Sequence, residues 1–480
     1  MNRRSFLSNS TLAAAGLAVP QIALSRDAKK PNVILIMSDD LGYECLGCNG
    51  GTSYKTPHLD ALAASGIRFR HAYAQPLCAP TRLQLMTGQY NFRNYEAFGI
   101  LNPKEKTFGH LMQGAGYKTC IAGKWQMYSY NPPDYQPEWR GKGMLPKDSG
   151  FDQYCLWHAG HTEDKGSRYA DPMVMQNGAL RTVQGAYGED VFVSFLSEFM
   201  KREKEHPFFV YYPMALTHAP FTATPRSREW ARGDRQKADP KFFGDMVAYM
   251  DECVGRVVQQ VDQLGLRENT IILFFSDNGS PREITSRMGE HVIRGGKGDT
   301  TNAGTHVPMI ANWKGTAPSD KVSDDLIDST DFLPTLAAIA GSKIPGNFIA
   351  DGRSFYSQLR GQKGSAREWI YCHYDPRPGW DKDKFSLKIF ARDQQYKLYS
   401  TGELFDVAAD ESEKHPLPEQ GETSAVKSAR LRLGRVLRDM NGKLRKSELN
   451  PQREPEDALV GASAGDRHEV AEIGNGPVGA

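Results

Sequence analysis

The stretch Pro31-Asn32-Val33-Ile34-Leu35-Ile36-Met37-Ser38-Asp39-Asp40 carries an unbroken apolar run of strand length that stops at two carboxylates. Such a run predicts a strand buried on both faces, as in a parallel sheet covered by helices. The pattern recurs: Pro207 to Tyr212 empties into Leu216-Thr217-His218-Ala219-Pro220-Phe221, Tyr117 to Ala122 ends at Gly123-Lys124-Trp125-Gln126, and Thr270 to Phe275 ends at Ser276-Asp277-Asn278-Gly279. Helical segments alternate with these runs. Thr56 to Gly66 has Thr56 as its cap and Pro57 in first position, Thr107 to Gly116 closes on glycine, and Phe243 to Leu264 carries an apolar stripe from Met246 to Val261. The alternation predicts an α/β fold with a large, mostly parallel sheet flanked by helices. Ligands of open α/β sheets sit at the carboxyl ends of the strands, so the four polar clusters are expected to meet in one crevice.

Leu77-Cys78-Ala79-Pro80-Thr81-Arg82 places a thiol at a helix start beside a cation. That setting favours an activated group, although free cysteine also packs as a small hydrophobe. Asp39, Asp40, Asp277 and Asn278 supply hard oxygen ligands from two strand ends, which suits Ca²⁺ or Mg²⁺ and not zinc. Arg82, Lys124, His218 and Lys297 add cationic or proton-bearing groups, a combination fitted to a compact phosphoryl or sulfuryl oxyanion.

The 59 basic and 57 acidic residues leave a net charge of +2, so the overall field points to neither a nucleic-acid nor a membrane partner. Asn2-Arg3-Arg4-Ser5-Phe6-Leu7 and the apolar Leu12 to Val19 read as a twin-arginine signal over residues 1–25, which implies export to the periplasm or beyond. No segment is long and apolar enough to span a membrane. The seven cysteines suggest disulfides that leave Cys78 over, and Cys45-x-x-Cys48 reads as packing or a disulfide. From about Arg367 the texture shifts to short strands (Trp369 to His373, Leu387 to Ala391, Tyr396 to Tyr399), the mark of a small C-terminal α+β subdomain with an antiparallel sheet. Val426 to Leu444 reads as a helix with a solvated basic face, and residues 449–480 as a disordered tail. Residues 26–361 are then the catalytic domain and 362–448 the subdomain.

Cys78-x-Pro80-x-Arg82 with Thr87-Gly88, the Asp39-Asp40 strand, Gly123-Lys124-Trp125, Thr217-His218-x-Pro220, Ser276-Asp277-Asn278-Gly279 and Gly296-Lys297-Gly298 occur in the order found in the formylglycine-dependent, arylsulfatase-type sulfatases, which the chain resembles from about Pro31 to Gly361. The resemblance implies an alkaline-phosphatase-like fold and oxidation of Cys78 to formylglycine by a maturation enzyme. It implies a hydrate at that position that attacks sulfur and later expels sulfate. It also implies Ca²⁺, with Mg²⁺ as the lesser choice, on Asp39, Asp40, Asp277, Asn278 and the modified Cys78. Arg82 and Lys124 are expected to hold the hydrate, and Lys297 and His218 the sulfate, with Lys124 also facing substrate.

Two departures stand out. Gln126 replaces the histidine usual after Gly-Lys-Trp and cannot take a proton at neutral pH, and Ala303 to Pro308 alters a Gly-Gly-Val-Arg-x-Pro stretch. Gln126 is therefore expected to keep a hydrogen bond while His158, His161, His291 or His306 serves as base. His158 and His306 are also assigned to substrate, and Trp139, Trp157 and His158 to a sugar-facing wall within an insertion from Tyr128 to Tyr169. The expected activity is an exported carbohydrate sulfatase. A phosphodiesterase or phosphonate hydrolase, or a non-catalytic binder of sulfated glycans, is the alternative.

Overall fold

The computed structural model describes residues 29–444. The twin-arginine stretch and the tail therefore lie outside the described residues. The strands are, in chain order, β1 (Asn32–Ser38), β2 (Ile67–Tyr73), β3 (Lys118–Lys124), β4 (Gln153–Trp157), β5 (Met173–Gln176), β6 (Ala179–Thr182), β7 (Phe208–Pro213), β8 (Thr270–Ser276), β9 (Thr285–Met288), β10 (His291–Arg294), β11 (Met309–Trp313), β12 (Lys321–Asp328), β13 (Ile370–Tyr374), β14 (Lys388–Arg392), β15 (Tyr396–Tyr399) and β16 (Leu404–Asp406). Ten form one sheet in the order β12-β2-β11-β8-β1-β7-β3-β4-β5-β6. Its centre, β8-β1-β7-β3-β4, is parallel throughout, and β11 and β5 run against their neighbours.

The unbroken apolar run of β1 has a simple cause. Val33, Leu35 and Met37 point into one core while Ile34 and Ile36 point into the other, so a strand with helices on both sides needs apolar residues at every position. The first core also takes the helices Cys78–Thr87, Phe108–Gly114 and Phe332–Ile339, and the second takes Gly188–Arg202 and Phe243–Gln263.

The insertion is not an appended wall, because β4 lies within it and extends the central sheet, pairing in parallel with β3. β2 also escapes a search for apolar runs, since Arg68, Arg70 and His71 interrupt it. All seven cysteines are free thiols, which corrects the expected disulfides. Cys45 Sγ sits 3.3 Å from Ser280 Oγ, and burial pushes this thiol well up. At the helix Pro57–Ala64 the side chain of Thr56 does not cap. Instead the N–H groups of His58 and Leu59 donate to Asp251 at 3.0 and 2.8 Å, a cap brought in from the helix Phe243–Gln263.

β13-β14-β15-β16 form a separate antiparallel sheet, covered by the helix Ser424–Asn441 through Leu433, Leu437 and Met440. On that helix Arg430 pairs with Glu422 and Arg432 with Asp393, while Lys427, Arg435 and Arg438 are exposed. No helix among the described residues is long and apolar enough to cross a membrane.

Candidate active site

The carboxyl ends of β1, β3, β7 and β8 open side by side, and the helix Cys78–Thr87 starts above them. Asp39, Asp40, Asp277, Asn278, Arg82 and Lys124 are all buried there. Lys124 Nζ lies 2.7 Å from Asp39 Oδ2. Arg82 spans Asp39 at 3.5 Å and Asp277 at 3.2 Å, and donates to the carbonyl of Lys124 at 3.1 Å. Lys297 Nζ meets Asp40 Oδ2 at 2.6 Å, and Asn278 Nδ2 donates to Asp40 Oδ1 at 2.8 Å. Asp40 and Gln126 take positive φ angles of 62° and 54°, a backbone cost that concentrates at this site.

Two oxygens remain without partners in this buried cluster, Asp39 Oδ1 and Asn278 Oδ1. Buried acceptors are rarely left so. Ligand atoms of Asp39, Cys78 and Asp277 lie within 4.8 Å of one another, as do those of Asp39, Asp40 and His218. A hard cation fits such an oxygen set. Burial opposes ionisation at all three carboxyls, but Lys124 and Arg82 hold Asp39 well below the usual range. Asp277 and Asp40 are pushed up, by burial first and then by the Asp39 charge, which outweighs or is offset by Arg82 and Lys297 only in part.

Cys78 is 3% exposed and lines the cleft, with Sγ 4.0 Å from Gln126 Oε1. His218 Nδ1 donates to the carbonyl of Ala219 at 2.6 Å, since a carbonyl can only accept, so Nε2 faces Asp40 at 3.8 Å as the free acceptor. Burial, then Lys297, pushes the His218 imidazole well below its ordinary range, which keeps it neutral.

The other histidines fall elsewhere. His306 stacks between Tyr43 and Tyr73 with Nε2 2.8 Å from the carbonyl of Arg70, outside the residues that line the cleft. His158 is buried outside the residues that line the cleft, with Nε2 3.1 Å from Thr162 Oγ1 and its carbonyl accepting from Gln126 N. His161 is held by Ser129 at 2.8 Å, and His291 sits exposed on the β9-β10 hairpin. Of the expected wall, Trp157 lines the cleft and Trp139 does not. His218 is thus the one imidazole on the cleft among the described residues.

The cleft holds about 1200 Å³. Its far side comes from the C-terminal part of the chain, where Trp380 and Phe385 line it and Lys382 lies over the rings of Phe98 and Tyr130 at 4.3 and 5.3 Å. These residues, with Lys165 and Arg168, went unread in the sequence because they sit in loops without periodic pattern or motif.

The His218 loop is itself held from below. Glu189, buried in the first turn of Gly188–Arg202, accepts from the N–H groups of Ala215 and Leu216 at 2.8 and 3.1 Å and from the Tyr212 hydroxyl. Burial pushes its carboxyl from 4.5 up to about 7. The folded chain therefore holds this proton more tightly than the unfolded chain. The contribution to stability is greatest below the unfolded value and declines as pH rises to the folded one, by about 3 kcal/mol. Glu189→Gln should remove that decline, as read from urea unfolding across this range. Equal pH slopes in the two proteins would sink the assignment.

A buried oxyanion-binding cluster with a hard-cation oxygen set, at the strand ends of an α/β sheet, defines a hydrolase of compact oxyanion esters. The sulfatase family model matches residues 31–342, and the model described as N-sulphoglucosamine sulphohydrolase, C-terminal, matches residues 299–439. The chain is 32% identical over 393 residues to human arylsulfatase A, covering 75% of this chain and 72% of that enzyme. It is 30% identical over 403 residues to the N-acetylgalactosamine-6-sulfatase of Canis lupus familiaris, covering 77% and 72%. Among solved structures, Ps i-CgsB in complex with k-i-k-neocarrahexaose aligns with a TM-score of 0.68 at 26% identity, over 87% of this chain and 93% of that one. The phosphonate monoester hydrolase of Agrobacterium radiobacter shares the fold, with a TM-score of 0.63 at 20% identity over 86% and 96%. The chain belongs to the formylglycine-dependent sulfatase family, and it is a sulfuric ester hydrolase with an alkaline-phosphatase-like fold.

Proposed function

We propose that this protein is an exported sulfatase that hydrolyses sulfate esters of carbohydrates, with Cys78 converted to formylglycine by a maturation enzyme and Ca²⁺ held by Asp39, Asp40, Asp277 and Asn278. Its signal, catalytic domain and C-terminal subdomain divide near residues 25 and 361. The observation that carries the reading is Cys78 at the head of its helix, beside Asp39 and Asp277 and open to a cleft lined with lysine, arginine and aromatic side chains. Likeness to enzymes of N-acetylgalactosamine 6-sulfate and to a carrahexaose complex supports the carbohydrate class. When present, the formylglycine and the cation supply a nucleophilic oxygen and polarise the sulfuryl group.

The chain's own residues do the rest. Arg82 and Lys124 orient the side chain at position 78 and neutralise Asp39 and Asp277 beside it. Lys297 supplies a fixed positive charge for the sulfuryl oxygens, and aromatic rings line the cleft beside it. His218, neutral with Nε2 open, takes the proton role, since it lines the cleft and His158, His161, His291 and His306 do not. Gln126 holds position 78 by a hydrogen bond without exchanging a proton.

The test is the mass of the Cys78 peptide from a maturation-competent host, followed by sulfate release from a panel of sulfated sugars. An aldehyde in place of the thiol together with sulfate release is expected. An unmodified thiol without release would turn the reading to a glycan binder. Gln126→His adds an ionisation near pH ~6.5 to the rate profile and changes turnover by about tenfold or more. An unchanged profile on a turned-over sugar removes the assigned place of Gln126.

A further inference from the structure

Trp157, Lys165 and Arg168 line both the cleft and an adjoining open pocket of about 310 Å³, whose lining also includes Thr222 and Arg235. No aspartate or glutamate lines it. The Arg168 guanidinium lies 4.1 Å over the Trp157 ring, and that of Arg235 lies 4.7 Å over Trp230. Arg168 Nη1, Arg235 Nε and Thr222 Oγ1 are buried and have no hydrogen-bond partner. Arg168 is 9% exposed. Among the described residues none of Lys165, Arg168 and Arg235 forms an ion pair.

Three of the other cations that line the cleft have a carboxylate, while Lys382 lies instead over the rings of Phe98 and Tyr130. Lys297 pairs with Asp40, Arg282 with Asp299 and Lys384 with Asp381. Crowding without a counter-charge also shows in Lys165, whose ammonium is pushed down to about 8 by burial, then by Arg168 and Lys124. A guanidinium over an indole ring can keep its N–H edge free for an acceptor, and a buried charge without a partner is costly. The pocket is built for an anion.

We propose that this pocket is a second sulfate subsite, which binds a further sulfate on the same saccharide whose scissile sulfate lies at position 78. The inference rests on the carbohydrate sulfatase reading for its substrate but not for its anion. Two guanidinium edges, an ammonium and a hydroxyl reach in from two stretches of chain, Lys165 with Arg168 and Thr222 with Arg235, which suits a tetrahedral oxyanion better than a planar carboxylate. Substrates with two or more sulfates are then preferred over singly sulfated ones, one sulfate being cleaved and the other read.

Equilibrium dialysis of the full chain against radiolabelled inorganic sulfate tests this. The expected result is a second sulfate per chain beyond the one at Lys297. Arg235→Gln and Arg168→Gln should each weaken the second by about tenfold or more and keep the first, while Lys297→Ala should lose the first and keep the second. Arg235 is partly exposed, so its variant tests the pocket even if Arg168→Gln melts early. A single sulfate, or a second one indifferent to both arginine variants, overturns the subsite. Displacement of the second sulfate by equimolar glucuronate overturns its assignment to sulfate. Two bound sulfates without release from any sulfated sugar would count against the catalytic reading alone.

Discussion

Cys78→Ala is expected to lower sulfate release by about 10⁴-fold or more, with the fold intact. The reason lies in what the side chain touches. Sγ lies within 4.8 Å of carboxylate oxygens of Asp39 and Asp277, and Cys78 lines the cleft. The side chain is a buried part of the first core, but alanine removes only the sulfur atom and one long polar contact, to Gln126 at 4.0 Å. Alanine at the first position of the helix Cys78–Thr87 should cost no more than about 1 kcal/mol. Ion chromatography of released sulfate, together with thermal melting, checks both halves. More than a tenth of the wild-type rate at an unchanged melting temperature would remove position 78 from the chemistry.

The second large effect concerns the cation. Chelation should abolish turnover, and added Ca²⁺ should restore it better than Mg²⁺, because a set of carboxylate and amide oxygens supplied mainly by the protein suits Ca²⁺, whereas Mg²⁺ gives up its waters reluctantly. Calcium at a thousandfold its dissociation constant should stabilise the chain by about 4 kcal/mol, visible as a raised melting temperature. A proton count provides an independent reading. Burial and the Asp39 charge push the Asp277 carboxyl up without a cation, so binding at neutral pH should release protons and tighten as pH rises. Calorimetry in buffers of different ionisation enthalpy measures this. Binding with no proton release, or turnover that survives exhaustive chelation, would rule out this oxygen set as the cation site.

Much of the architecture could be read because it depends on local alternation. β1, β3, β7 and β8 are buried on both faces, so their apolar runs carry the sheet in the sequence itself. The Asp39-Asp40 and Asp277-Asn278 clusters could be read because they follow such strands directly. β2 and β12 mix charged with apolar residues, and their pairing depends on neighbours far along the chain. The cap of Pro57–Ala64 misled for a similar reason, since Asp251, not Thr56, satisfies its first N–H groups. His306 shows the same limit, because its chemistry was plain but its stacking against Tyr43 and Tyr73 was not.

By itself the sequence determined the parallel centre of the sheet, the crevice at its strand ends and the chemistry assembled there around Cys78. Those properties follow from the burial demanded of each strand and from side-chain identity at its end. Only the tertiary structure decided which histidine faces the cleft, that the cysteines stay unpaired, that the C-terminal loop closes the far wall, and that Arg168 and Arg235 share a pocket without a carboxylate. These depend on distances between segments far apart in the chain, which no local pattern of residues encodes.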